Sequence, residues 1–145
     1  MNMKDIKWVV GHKITPIEVS GNYDMVLGET PGHVPGPPPH KHLGFEEVFF
    51  VVKGEMEFLI NGVPRTVKAG ESIDLPHGTV HTFSNTSDSE CTWINIHSPK
   101  GFLSFFEDLG IPIGEQDAME KSIGKPIIDK VMATAANYDM HIITK

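Results

Sequence analysis

The sequence predicts an all-β domain of antiparallel strands with short helices towards its C-terminal end. Short runs rich in β-branched and aromatic residues recur between residues 47 and 97. The dipeptide Asn61-Gly62 lies between two of these runs and is a strong hairpin signal. Beyond residue 98 the apolar spacing becomes that of a helix. Many short, closely spaced strands indicate an antiparallel sandwich or barrel rather than a parallel sheet.

The length, net charge and composition of the chain limit the kinds of protein it can be. The chain has 145 residues, the length of one ordinary domain, and a formal net charge of -7. This charge argues against nucleic-acid and membrane partners, because both require clustered Lys and Arg. Arg65 is the only arginine and Cys91 the only cysteine, and we expect Cys91 to be a small buried apolar residue. With no long apolar run, we expect a cytoplasmic protein.

The strands are predicted in chain order from apolar runs and the turn residues between them. Weak signals predict outer strands before residue 30, at 6–10, 17–19 and 23–27. The proline-rich segment 31–39 must be a rigid loop that delivers the next residues in an extended conformation. Stronger signals follow at 47–52, 55–60, 63–67, 72–75, 80–84 and 91–97.

Three helices are predicted in the C-terminal part. The first, over 102–109, has apolar residues at i, i+3, i+4 and i+7, with Ser98 available as a cap and Gly110 at its end. We expect it to pack on the barrel wall rather than to act as a lid. Two shorter helices are predicted at 116–121 and 126–136, separated by Gly124 and Pro126.

Two stretches carry residues suited to a transition metal. His40 and His42 point the same way on an extended strand, and either Glu46 or Glu47 opens the next strand. Glu47 is preferred because its face continues through Phe49 and Val51. In the second stretch, His81 shares a face with Phe83 and Asn85. A barrel interior does not accept three imidazoles and a carboxylate without partners, and a metal ion satisfies all four.

The remaining histidines are interpreted differently. We expect His12, His33 and His141 to be solvated surface residues. His77 lies in a turn where side chains usually face solvent. His97 shares its strand face with Trp93 and Asn95, and the sequence does not decide whether that face is inward.

The two stretches resemble the paired motifs of the cupins. In the first motif, His40, His42, Glu47 and Gly54 match, while Val34 occupies the leading glycine position. The second motif matches at every position, listed as Gly70, Pro76, Gly78, His81 and Asn85. The six-residue gap between Glu47 and Gly54 selects Glu47 over Glu46.

This resemblance, which covers roughly residues 34–97, implies a double-stranded β-helix, the small jelly-roll barrel. It further implies one domain over 1–145, with a barrel core over about 25–97 and a helical extension over about 98–145. The implied metal ligands are His40, His42, Glu47 and His81. The metal would be a divalent ion of Fe, Mn, Ni, Co, Cu or Zn, among which ligand type does not choose.

The resemblance is strongest to quercetinase-like dioxygenases and extends to the segment 101–110. It implies that Glu47 both binds the metal and takes a proton from a substrate hydroxyl. The leading hypothesis is a dioxygenase-like enzyme acting on a small neutral, enolic or aromatic molecule, because phosphates and dicarboxylates usually need arginine. The alternatives are a redox-neutral metal-dependent isomerase or cyclase, and a binding module without turnover. The predicted substrate lining is Phe49, Met56, Phe58 and Phe83.

The predicted partners are a small-molecule substrate and a second copy of the chain. The face of the strand opposite Glu47 carries Val48, Phe50 and Val52 and could pack in a homodimer or beneath the C-terminal helix. No DNA-binding segment is recognised beside the barrel, which disfavours a transcriptional regulator.

Overall fold

Two antiparallel sheets form the body of the protein and confirm the predicted all-β class. A computed structural model describes residues 5–144, so Lys145 and residues 1–4 of the predicted domain lie outside it. Strands β1 to β6 lie at Lys7–Val9, His12–Ile17, Asp24–Thr30, His40–Lys41, Glu46–Lys53 and Glu55–Ile60. Strands β7 to β12 lie at Val63–Lys68, Ser72–Leu75, His81–Ser84, Cys91–Ser98, Ile111–Pro112 and His141–Ile142.

One sheet has seven strands in the order β11-β1-β2-β3-β10-β5-β8, and the other has five in the order β12-β4-β9-β6-β7. The hairpin predicted at Asn61-Gly62 joins β6 to β7, with both residues at positive φ. Apolar side chains from the inner faces of both sheets form one core. Its buried members include Phe49, Val51 and Trp93.

Three α-helices lie between β10 and β12, at Leu103–Leu109 (α1), Ala118–Ser122 (α2) and Lys125–Thr134 (α3), and a 3-10 turn covers Ala135–Tyr138. Gly110 ends α1 as predicted, its N–H bonding to the Phe106 carbonyl at 2.9 Å. The predicted Ser98 cap is wrong, because Ser98 belongs to β10. The carboxylate of Asp24 instead accepts from the N–H groups of Gly101 and Leu103, at 2.7 and 3.2 Å.

The N- and C-terminal segments both complete the barrel. β2 pairs with β3 over Lys13–Ile17, and β12 pairs with β4, placing Ile142 opposite His40. The extension predicted as helical therefore also supplies strands. None of the helices within 5–144 is long and apolar enough to cross a lipid bilayer.

The outer face of β5 remains open among the described residues. Phe50 and Val52 are 42% and 45% exposed, so they do not lie beneath the C-terminal helix. Cys91 is fully buried, as expected, and burial raises the pKa of its thiol to about 11.

Candidate metal centre

Five buried side chains converge inside the barrel from four strands and one loop. His40 lies on β4, His42 just after it, Glu47 on β5, His81 on β9 and His97 on β10. Strand pairing sets their positions, since His40 is directly opposite His81 and Glu47 is directly opposite His97. Each is at most 6% exposed. All four residues predicted as ligands are therefore brought together, and His97 joins them.

The ligand atoms lie close enough to share one ion. His81 Nε2 and His42 Nε2 lie 3.1 and 3.6 Å from Glu47 Oε1. His97 Nε2 lies 3.1 Å from the other oxygen, Glu47 Oε2. Two overlapping groups have all their ligand atoms within 4.8 Å of one another, namely His40–His42–His81 and His42–Glu47–His97.

Backbone carbonyls fix which nitrogen of three imidazoles faces the centre. The Nδ1 atoms of His40, His42 and His81 lie 2.9, 2.8 and 3.0 Å from the carbonyl oxygens of Pro38, Asp139 and Thr79. A carbonyl oxygen only accepts, so each Nδ1 must carry the hydrogen. In the neutral rings Nε2 is therefore a bare lone pair directed at the centre, the arrangement that metal-binding histidines use.

The centre fits a metal ion, because its polar atoms lack other partners. His42 Nε2, His81 Nε2 and Glu47 Oε1 are buried without a hydrogen bond to any described residue. Imidazole lone pairs that face a carboxylate oxygen repel it, and a cation between them satisfies every atom at once. A set of imidazole nitrogens with one carboxylate oxygen suits divalent first-row transition metals.

The second oxygen of Glu47 is held by the protein. Asn95 Nδ2 donates to Glu47 Oε2 at 3.2 Å, which leaves Oε1 as the free atom. Burial alone would raise the pKa of Glu47, but the nearby imidazoles of His97, His42 and His81 lower it well below its usual value. A carboxyl group held ionised favours the role of ligand over that of proton acceptor.

The histidines of the centre have unequal affinities for protons. Burial, reinforced by the neighbouring His81, lowers the pKa of His40 to about 3. Burial also acts to lower the pKa of His81, but the Glu47 carboxylate outweighs it and raises this pKa above its usual value. Below that pKa a proton competes with a metal for His81 Nε2, whereas His40 stays available.

A cavity of about 60 Å³ adjoins the centre, and its walls are almost entirely apolar. Of the predicted lining residues, Phe49 and Phe83 border it. Met56 and Phe58 do not, which corrects the prediction; Phe58 lies one layer behind, with its ring centroid 5.0 Å from that of Phe49. The apolar walls comprise Val9, Val10, Ile14, Pro37, Phe49, Phe83, Trp93, Phe102, Phe105, Phe106 and Met140.

The C-terminal extension completes the site. The carboxylate of Asp139 accepts from the N–H groups of Leu43 and Gly44, at 3.0 and 2.7 Å, while its carbonyl holds His42. Phe102 stacks on His97 with centroids 4.3 Å apart. Because Phe102, Phe105 and Phe106 line the cavity, the segment around α1 is more than packing on the barrel wall.

Two histidines depart from the sequence-based interpretation. His97 faces inward, together with Trp93 and Asn95, a question that strand alternation had left open. His12 was predicted to be a solvated loop residue, but it is 3% exposed, lies on β2 and borders the cavity. The signal that could have found it is its alternation with Ile14, the next residue on the buried face of that strand.

The other polar residues weighed from the sequence lie away from the centre. Glu46 is exposed and pairs with exposed His77 at 3.2 Å. His33 is exposed and pairs with Asp88 at 2.6 Å. His141 is about one-third exposed.

Comparison with known proteins identifies this architecture. Residues 27–97 match the family model described as the cupin domain. The chain belongs to the cupin superfamily. A cupin of Silicibacter pomeroyi DSS-3, described as a sugar phosphate isomerase, has a TM-score of 0.57 and 16% identity, covering 63% of this chain and 61% of that one. KdgF from Halomonas sp. has a TM-score of 0.56 and 22% identity, covering 62% of this chain and 82% of that one. Both likenesses concern the fold.

A curated relative is similar over a shorter region. The HTH-type transcriptional regulator PuuR of Escherichia coli (strain K12) is 42% identical over 62 residues, which is 43% of this chain. The match spans 33% of the length of that regulator. This cupin thus covers about a third of the curated relative.

Proposed function

We propose that this cupin holds one divalent transition-metal ion through His40, His42, His81 and Glu47, and that it acts on a small, largely apolar organic molecule beside the ion. The observation that carries the proposal is the set of buried Nε2 and Oε1 atoms without partners, with three Nδ1 atoms already engaged by carbonyls. When bound, such an ion supplies Lewis acidity and, if redox-active, electron transfer to dioxygen.

The chain's own residues shape what the site can accept. Glu47 stays ionised and supplies Oε1, while Asn95 fixes the orientation of its carboxylate. Most of the lining side chains are aromatic or aliphatic, so the surface offered to a substrate is largely apolar. No lysine or arginine within residues 5–144 borders the cavity, and Arg65 is exposed on β7. These features support a neutral substrate over a phosphate or dicarboxylate.

The size of the cavity narrows the substrate further. Its volume of about 60 Å³ is well below the roughly 150 Å³ of a cavity that holds benzene. A compact molecule, such as a small diketone, therefore suits a cavity of this volume better than a flavonol of several rings. The leading reaction is dioxygenation, in which both atoms of O₂ enter the product and no external reductant is consumed.

Oxygen consumption tests this reaction. The chain is loaded in turn with Fe(II), Mn(II), Ni(II) and Cu(II) and given diketones, catechols and flavonols. We expect uptake of one O₂ per molecule of substrate with at least one metal, and the greatest rate with a compact diketone. His81→Ala, loaded in the same way, serves as the inactive control. An absence of uptake with every pair would contradict the dioxygenase proposal.

A second candidate is a ligand-binding module without turnover, favoured by the similarity to a transcriptional regulator. A shared role would concern recognition of a small molecule by the cupin domain. This role predicts saturable binding of a ligand that is recovered unchanged. A redox-neutral isomerase or cyclase would instead convert its substrate without oxygen, so the same incubations run anaerobically separate the three.

Self-association through the outer face of β5 remains a proposal. Exposed Phe50 and Val52 lie on that face, where a second copy could cover them. Phe50→Lys should then reduce the mass measured by light scattering to that of one chain. A wild-type chain that is already monomeric would contradict the proposal.

A further inference from the structure

His12 is a buried polar residue to which the metal chemistry gives no role. It lies at the wall of the cavity, with its ring centroid 5.0 Å from that of Phe83 and 6.3 Å from that of Trp93. Its Nε2 atom is buried and has no hydrogen-bond partner among residues 5–144. The free atom therefore lies beside aromatic rings, where a buried polar group without a partner destabilises the protein.

A short hydrogen-bond chain favours one of the two ring nitrogens of His12 as the carrier of the hydrogen. Trp93 Nε1 lies 2.8 Å from Thr30 Oγ1 and can only donate to it. The same hydroxyl lies 2.8 Å from His12 Nδ1. Donation from Thr30 to Nδ1 is the arrangement that gives the hydroxyl hydrogen a partner, and it places the hydrogen of the neutral His12 ring on Nε2.

His12 thus presents a donor where the histidines of the metal centre present lone pairs. Burial lowers the pKa of His12 to about 4, so the ring is uncharged at neutral pH. An uncharged N–H donor in an apolar pocket pairs best with a neutral acceptor, because an anion would lose its hydration without a compensating charge.

We propose that His12 determines substrate specificity by donating a hydrogen bond from Nε2 to a carbonyl oxygen of a neutral substrate held in the cavity. The inference rests on the proposed function for the idea that the cavity holds a substrate, and it adds a chemical requirement to that substrate. The molecule must offer an acceptor to His12 in addition to whatever group faces the metal.

The hydrogen position can be observed directly in the full chain. Long-range ¹H–¹⁵N correlation spectra of the metal-free protein at pH 7 distinguish a protonated from an unprotonated ring nitrogen. We expect His12 to be protonated at Nε2, and His40 and His42 to be protonated at Nδ1. A His12 ring protonated at Nδ1 would overturn the proposal, and this result needs no variant to fold.

Binding of two small probes of nearly the same shape tests the acceptor requirement. Cyclopentanone and methylenecyclopentane differ in a carbonyl oxygen against a methylene group, and their dissociation constants can be measured by NMR titration. The preference for the ketone is the dissociation constant of methylenecyclopentane divided by that of cyclopentanone. We expect this preference to be about 2- to 10-fold greater in the wild type than in His12→Leu. His12→Gln, which keeps an N–H donor, should retain part of the preference.

Phe58→Leu is the matched control, because Phe58 packs behind Phe49 without bordering the cavity. It should leave the ratio unchanged. If His12→Leu fails to fold, Thr30→Val removes the hydroxyl that donates to Nδ1 and should weaken the preference as well. An equal ratio in the wild type and in whichever of these variants folds would overturn the proposal.

These experiments do not depend on turnover, so they distinguish a failure of the dioxygenase proposal from a failure of the proposal for His12. A ketone preference that depends on His12, without oxygen uptake under any condition, would refute the dioxygenase and leave the role of His12 standing. Oxygen uptake combined with an unchanged probe ratio in His12→Leu would refute the role of His12 alone.

Discussion

The two ends of the cavity use the same side chain in opposite ways. At the metal end, carbonyl oxygens take the hydrogens of the Nδ1 atoms of His40, His42 and His81, which leaves Nε2 as a lone pair. At the other end, we propose that the Thr30 hydroxyl, 2.8 Å from His12 Nδ1, donates to that atom and so leaves Nε2 as a donor. The difference teaches that the partner of the remote nitrogen decides whether a buried histidine can bind a cation or an acceptor.

The largest effect should come from removing a lone pair at the metal end. His81→Ala should weaken the binding of Zn(II) by at least about 100-fold, because changes one layer further out already cost 10- to 100-fold. Competition with a chromogenic chelator measures the affinity. His33→Ala, at an exposed histidine paired with Asp88, should bind as the wild type does. Equal affinities for both variants would refute the assignment.

The second largest effect on Zn(II) affinity should come from removing the carboxylate of Asp139 in the C-terminal segment. Asp139→Ala removes the acceptor of the Leu43 and Gly44 N–H groups and so loosens His42. We expect about a 10-fold loss of Zn(II) affinity. The control is Asp129→Ala, which breaks only an exposed ion pair with Lys125. Loss of affinity in the control as well would indicate a general effect on stability.

Acid should affect the metal end first. The raised pKa of His81 means that a proton competes with the metal from above pH 6.5 downwards. Below the pKa of His81, the affinity for Zn(II) should therefore fall by about 10-fold for each pH unit. Titration calorimetry at several pH values measures this slope, and an affinity that stays constant between pH 7 and 5 would contradict it.

The His12 end should respond to acid through folding stability. The pKa of His12 is about 4 in the folded chain and near 6.5 when unfolded, so the unfolded chain binds more protons between these values. Stability is therefore lost as pH falls below 6.5, by about 1.4 kcal/mol per unit from this residue. The free energy of unfolding of the metal-free chain, measured with urea at several pH values, should fall less steeply with decreasing pH in His12→Gln than in the wild type. Identical slopes would show that His12 titrates normally.

Much of the fold and of the metal end could be predicted, because both depend on local spacing. His40, His42, Glu47 and His81 follow from strand alternation together with the motif spacing, and Asn61-Gly62 fixes a hairpin. The rest depends on contacts that are distant in sequence. Asp24 reaches the start of α1, and Asp139 reaches His42. No local pattern records these pairings.

The errors in the predicted lining of the cavity have a similar cause. Met56 and Phe58 alternate correctly towards the interior, but alternation does not distinguish a residue that borders a cavity from one packed behind it. His12 was misplaced because a strand containing Pro16 and ending before a loop has a weak signal. Its burial depends on residues distant in sequence, such as Thr30 and Phe83, which lie against its ring.

The most direct test of the metal centre is a crystal structure of the Zn(II)-loaded chain with anomalous diffraction measured at the zinc edge. We predict one strong peak inside the barrel, at about 2.0–2.2 Å from Nε2 of His40, His42 and His81 and from Oε1 of Glu47. A peak bound by His42, Glu47 and His97 without His40 and His81, or no peak in the barrel, would contradict the account.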